Sequence, residues 1–137
     1  MALRLDGLCP LIQVYDMPES LQFYRDKLGF AVVNTSEEIE APEGRHFYWA
    51  RLRHGDAELM LNTAYDAGER PQRRDATREK AHQDTILFVA CADVDGAFAS
   101  LKAAGLTIDP PAIAPYGMKQ LFLTDPDGYQ VCLQAPA

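Results

Sequence analysis

The stretch DMPESLQFYRDKLGF, residues 16–30, decides how the rest of this chain is read. Asp16 and Glu19 have the spacing of a helix-opening capping pair, and Pro18 suits a first turn. Leu21, Tyr24 and Leu28, with Phe23 beside them, follow the three-to-four spacing of a buried helical stripe, and Gly29 stands where a helix stop belongs. These signals predict a helix over 18–28. In front of it lies the apolar stretch LCPLIQVYD (8–16), and behind it FAVVNT (30–35) reads as a strand. HFYWARLR (46–53) and AELMLNTA (57–64) then flank the turn HGD and read as a hairpin. The first half is therefore strand, helix, three strands.

The same grammar returns at TILFVACADVDGAFASLKAAGLTI, residues 85–108. Asp93 takes the place of Asp16, a helix is predicted over 95–104 with Phe98, Leu101 and Ala104 as its stripe, Gly105 is the stop, and LTI (106–108) reads as a short strand. MKQLFLT (118–124) and YQVCLQ (129–134) flank DPDG, a composition that turns favour. A repeat of about 75 residues is too long for a solenoid unit and suits a duplicated module, two small sheets sharing one core. The expectation is an α+β fold in a single domain, residues 1–137, with one βαβββ module at about 5–63 and another at about 84–137. The linker, 64–83, is polar and charged, with a short helix at RDATREKA (74–81); it reads as a plain exposed connection, the alternative being a lid or a swap hinge.

A chain of 137 residues that is 47% hydrophobic can build its own core. Its three cysteines, Cys9, Cys91 and Cys132, show no C-x-x-C spacing, which argues against a zinc knuckle or a disulfide framework and for a reducing, cytoplasmic setting. No apolar run approaches a membrane span. A net charge of −7 disfavours nucleic acid and mildly favours cationic partners.

With SLQFYRDKLGF in the first half and DPDGYQVCL in the last hairpin, nearly the whole chain resembles the vicinal oxygen chelate superfamily, which includes glyoxalase I, extradiol dioxygenases, fosfomycin-resistance transferases and bleomycin-resistance proteins. The resemblance implies two βαβββ modules curled into a cup-shaped, partly closed mixed sheet with the helices outside. It also implies metal-ligand positions on the first and last strands of each module. Counting from Asp16, Asp93 and the DPDG turn, these positions are Cys9, Ile86 and Cys132, and the fourth, in AELMLN, is Glu58. Ile86 has no donor atom, and hard or borderline ions that hold substrate oxygens want imidazole and carboxylate. The expectation is no cofactor; the alternative is a divalent metal ion on Cys9, Cys132 and Glu58. His46 is the only histidine expected near the cup, while His54 and His82 are expected to be solvent-exposed.

Strand alternation, with Ile12 and Val14 on the helix side, turns Cys9, Leu11 and Gln13 to the cup, together with Glu58, Met60 and Asn62, with Ile86, Phe88 and Ala90, and with Gln130, Cys132 and Gln134. Trp49, from the aromatic run Phe47, Tyr48, Trp49, and the rim residues Tyr116 and Met118 complete the candidate ligand contacts. Glu58 reads as a carboxylate in an otherwise uncharged cup, either a counter-ion to a cation or the one candidate general base. Cys9 and Cys132 read as inert. The functional expectation is a metal-free small-molecule-binding protein of the bleomycin-resistance kind, a homodimer with its crevice between chains. The alternative is a lyase or dioxygenase-type enzyme with an unusual metal site or with Glu58 as base.

Overall fold

The computed structural model describes residues 2–137. Two four-stranded sheets carry the repeat. In the first module β1 (Leu11–Val14) is followed by α1 (Met17–Leu21), which runs on as a π-helical segment (Gln22–Lys27), then β2 (Ala31–Thr35), a two-stranded ribbon of β3 (Glu38–Ala41) and β4 (Gly44–Phe47), β5 (Trp49–His54) and β6 (Ala57–Thr63). After the linker, which contains α2 (Ala76–Ala81), the second module runs β7 (Ile86–Ala90), α3 (Val94–Ala103), β8 (Ala112–Ile113), β9 (Met118–Thr124) and β10 (Gln130–Pro136). Strand orders are β1-β6-β5-β2 and β7-β10-β9-β8, so each module pairs its first and last strands in parallel and closes on a hairpin. The two sheets exchange no strand and are not closed into a barrel.

The helix ends follow from the residues read above. Asp16 Oδ1 accepts the Glu19 N–H at 3.0 Å and Asp93 Oδ1 accepts the Gly96 N–H at 2.9 Å, capping α1 and α3 alike. Gly29, at φ 79°, turns the chain out of the first helix, and the Phe30 N–H reaches back to the Tyr24 carbonyl at 2.9 Å. A side chain at Gly29 would also press on the His54 ring, 3.2 Å away.

Three expectations are corrected. HFYWARLR is not one strand: the chain breaks at Tyr48, and His46 and Phe47 belong to the β3–β4 ribbon, whose alternation Glu38, Ile39, Glu40 and turn at Pro42–Glu43 the hairpin reading passed over. LTI forms no strand; the edge of the second sheet is β8, further along at Ala112–Ile113, paired with β9. The linker is not a plain exposed connection. Arg70 and Arg74 lie over the Tyr15 ring at 4.6 and 4.7 Å, and Arg78 donates to Asp127 at 2.7 Å and to the Gln13 carbonyl at 2.7 Å.

A single core joins the modules. Ile12, Val14, Leu52 and Leu61 of the first sheet, Leu121, Leu123 and Val131 of the second, and Leu21, Tyr24 and Leu101 of the helices are all buried in one cluster. Both sheets thus turn their helix-side faces to a common interior. Their other faces point outward.

Candidate functional site

The DPDG turn, the strongest turn signal in the sequence, is the seam between the modules. Asp127 is fully buried and accepts the Tyr15 N–H at 2.8 Å, the Arg78 guanidinium at 2.7 Å and the Ser20 hydroxyl at 3.4 Å. Asp125 accepts the Asp127 and Tyr129 N–H groups, both at 2.9 Å on one oxygen, and the Tyr24 hydroxyl at 2.7 Å on the other. Burial pushes the Asp125 carboxyl up to about 6, opposed by those hydrogen bonds, and raises the Tyr24 phenol as well. His82 stacks on Tyr129 with ring centroids 4.0 Å apart and pairs with the Asp127 carbonyl at 2.7 Å, so it is part of this seam and not simply solvent-exposed. These residues fasten the fold.

His46 is not in the cup either. It is buried on β4, its Nε2 3.6 Å from Glu43, and lines a small polar cavity of about 220 Å³ with Asp16, Tyr15 and Arg70 on the helix side. His54 packs edge-on against Phe30 with its Nδ1 2.9 Å from the Leu28 carbonyl.

The outward sheet faces hold the strand residues assigned to the cup, while Cys9 lies ahead of β1 and outside the sheet. On the first sheet, register places Leu11 beside Met60 and Met60 beside Arg51, and Gln13 beside Asn62 and Asn62 beside Trp49. On the second, Phe88, Cys132 and Phe122 form one row across three strands, and Ala90, Gln134 and Gln120 the next. Leu11, Ile86, Phe88 and Phe122 are 42 to 52% exposed, whereas Cys132, walled in by its neighbours, is fully buried. Burial raises its thiol, which keeps it protonated and unreactive. Gln120 donates to the Tyr116 hydroxyl at 2.8 Å and to Gln134 at 3.0 Å, so the rim residue Tyr116 is tied to the face through an amide that the alternation reading missed. Met118 lies at the start of β9 on this same face, half-buried.

Glu58 is where the geometry departs most from expectation. Arg53 donates to it through Nε at 3.1 Å and Nη2 at 2.8 Å, and Arg51 through Nη2 at 2.8 Å. The two guanidiniums, Arg53 foremost, hold its carboxyl below the usual range. A general base needs the opposite shift, and a free counter-ion needs the opposite surroundings. The expectation of an otherwise uncharged cup with a lone carboxylate is therefore corrected: Glu58 shares its face with Arg51 and Arg53.

The positions that the superfamily uses for metal do not fit a metal here. Ile86 offers no donor, Glu58 is engaged by two guanidiniums, and the Cys132 thiol is protonated. The four are also split, Glu58 on the first sheet with Cys9 just ahead of its strand β1, and Ile86 and Cys132 on the second, with the core between. Among the described residues no group of three or more His, Cys, Asp or Glu side chains is placed to hold a metal ion.

A further concavity, about 660 Å³, lies between α3, β7 and the β5–β6 turn, floored by Phe30, Leu101, Val131 and Leu133. No helix among the described residues is long and apolar enough to cross a membrane.

Comparison with known proteins bears on the fold first. An antibiotic-binding protein, TnmS3 from Streptomyces sp. CB03234, superposes with TM-score 0.70 at 22% identity, covering 99% of this chain and 100% of that one. A bleomycin-binding protein solved in complex with bleomycin gives 0.69 at 18% identity over 97% and 100%, and a bleomycin resistance determinant encoded on transposon Tn5 gives 0.68 at 19% over 96% and 98%. No curated protein matches. The arrangement of two βαβββ modules and the match of the family's sequence model over residues 6–133 together make this chain a member of the glyoxalase/bleomycin resistance protein/dioxygenase superfamily.

Proposed function

We propose that the protein binds a small, partly apolar molecule without a metal ion, in a cup made from the first-sheet face of one copy and the second-sheet face of another. The observation that carries this reading is the composition of the outward faces. Leu11, Met60, Ile86, Phe88 and Phe122 stand there among the amides of Gln13, Asn62, Gln120 and Gln134, a mixture of apolar walls and polar handles that small-molecule sites use. Exposed apolar patches of this kind mark contact surfaces. Because both faces look away from the common core, one chain supplies two half-cups and a homodimer completes them. Proteins of similar fold bind antibiotics, bleomycin among them. Three free cysteines suit a reducing, cytoplasmic setting.

Trp49, the sole tryptophan, sits on the outward face beside Asn62 and reports on the cup. Titrating a varied panel of ring-containing compounds is expected to give saturable quenching that is lost in Phe122→Glu, on the outward row of the second sheet. A panel without a saturable binder would overturn the reading. The groove between the modules favours a second site within a single chain, since its volume of about 660 Å³ is that of a ligand pocket. Ala97→Phe would fill that groove and leave the outward faces intact, so binding abolished by Ala97→Phe and kept by Phe122→Glu, which lies outside the groove, selects it.

A further inference from the structure

We infer that the ligand of this cup carries a negatively charged oxyanion, a carboxylate or an equivalent group, that docks on Arg51 and Arg53. The inference rests on the cup being a small-molecule site and adds the chemistry it selects. The chain as a whole is acidic, with a net charge of −7, and that balance alone points to cations. The charge on the outward faces points the other way. Along β1, β2, β5 and β6 the only charged side chains turned outward are Arg51, Arg53 and Glu58. The outward positions of β7, β9 and β10 are Ile86, Phe88 and Ala90, then Met118, Gln120, Phe122 and Thr124, then Gln130, Cys132 and Gln134, with no charge among them. One first-sheet face opposed to one second-sheet face therefore sums two guanidiniums against one carboxylate, a net +1.

Hydrogen-bond capacity points the same way. Glu58 accepts from both arginines and is the acceptor already spent. Two guanidiniums carry ten N–H donors between them, of which the contacts to Glu58 use three. Arg51 and Arg53 stay 40 and 56% exposed, so the remaining donors are open to a ligand. Glu58 holds both planar forks in place on one face, which lowers the cost of ordering them around an anion. Met60 and Leu11 lie in the adjoining row, where an apolar body attached to the anion would rest.

The test compares three probes with one body: 2-naphthoate, 2-naphthamide and 2-naphthylmethylammonium, each titrated against Trp49 fluorescence. The carboxylate is expected to bind about tenfold tighter than the ammonium compound, the scale of one charge-assisted contact, and its advantage should shrink as salt is raised. Arg51→Gln and Arg53→Gln, checked for folding by circular dichroism, should each bring the carboxylate-to-amide affinity ratio towards one. Glu58→Gln raises the face to +2 and should raise that ratio. Amide or ammonium binding equal to or tighter than the carboxylate overturns the anion and leaves the cup standing. Failure of all three probes to bind removes the cup itself.

Discussion

At the scale of single residues, Asp125 is the group whose ionisation should be visible in the stability of the fold. Its folded value of about 6 lies above an unfolded one of about 4. A raised carboxyl contributes stability that is fully present below the unfolded value and lost as pH climbs through the folded one, here between about 4 and 6. A displacement of about two units corresponds to about 3 kcal/mol at most. In Asp125→Asn the amide oxygen can take over both backbone N–H groups, since these share one carboxylate oxygen, and the amide nitrogen can donate to Tyr24. That variant is expected to fold, and in urea titrations at stepped pH to lose the decline that the parent shows between pH 4 and 6. An unchanged slope would assign the titration to another group. Asp125 was legible in sequence only as a turn residue, because a carboxylate's burial depends on what folds over it. Glu58 was located by count, yet its partners were missed. Register supplies them: the two-residue Gly55–Asp56 loop, with Gly55 at φ 58°, sets Arg53 opposite Glu58 and Arg51 two pairs further on, opposite Met60 and on the same face.

Among the elements, the linker helix shows how a polar run can be structural. Arg78 on α2 and Arg70 and Arg74 in the non-helical stretch before it all face the seam, where they meet Tyr15, Glu19 and Asp127. Composition alone cannot tell such a run from a solvated one, because the acidic and aromatic partners lie elsewhere in the chain. The docking is close at Gly128, where an added Cβ would fall 2.1 Å from the Glu79 carbonyl oxygen, and whose φ of 87° disfavours any side chain. Gly128→Ala is expected to cost about 2 kcal/mol or more and to lift α2 off the turn. Faster trypsin cleavage within residues 64–83, measured beside a thermal melt, would show both effects. Cleavage at the parent rate would mean that the turn moves and the helix stays. The helix caps, by contrast, were readable from Asp16 and Asp93, because a cap needs only neighbours within one turn.

For the whole molecule, the duplicated plan was legible because each module repeats the same local signals in the same order, and pairing of first with last strand follows from a βαβββ connection. Which face of each sheet meets the core was legible as well, since Ile12 and Val14 alternate with Leu11 and Gln13. Whether the outward faces close over one another was not, because that depends on how two modules dock. Their docking through the helix side leaves Phe88 and Phe122 about half exposed in one row, and leaves β1 and β7 each with one unpaired edge. Burying the exposed parts of such side chains is worth about 1 kcal/mol each, so several together can hold a dimer if the interface reaches about 1,200 Å² or more. Sedimentation of the parent at micromolar concentration is expected to give a dimer. Phe122→Glu places a carboxylate in the middle of the second-sheet face and should give a folded monomer, since the substituted side chain points away from the core. If the crevice is shared between copies, that monomer also loses the quenching of Trp49, which lies on the other sheet of the same chain. A parent that sediments as a monomer while still binding ligand would move the site into the groove between α3 and the β5–β6 turn.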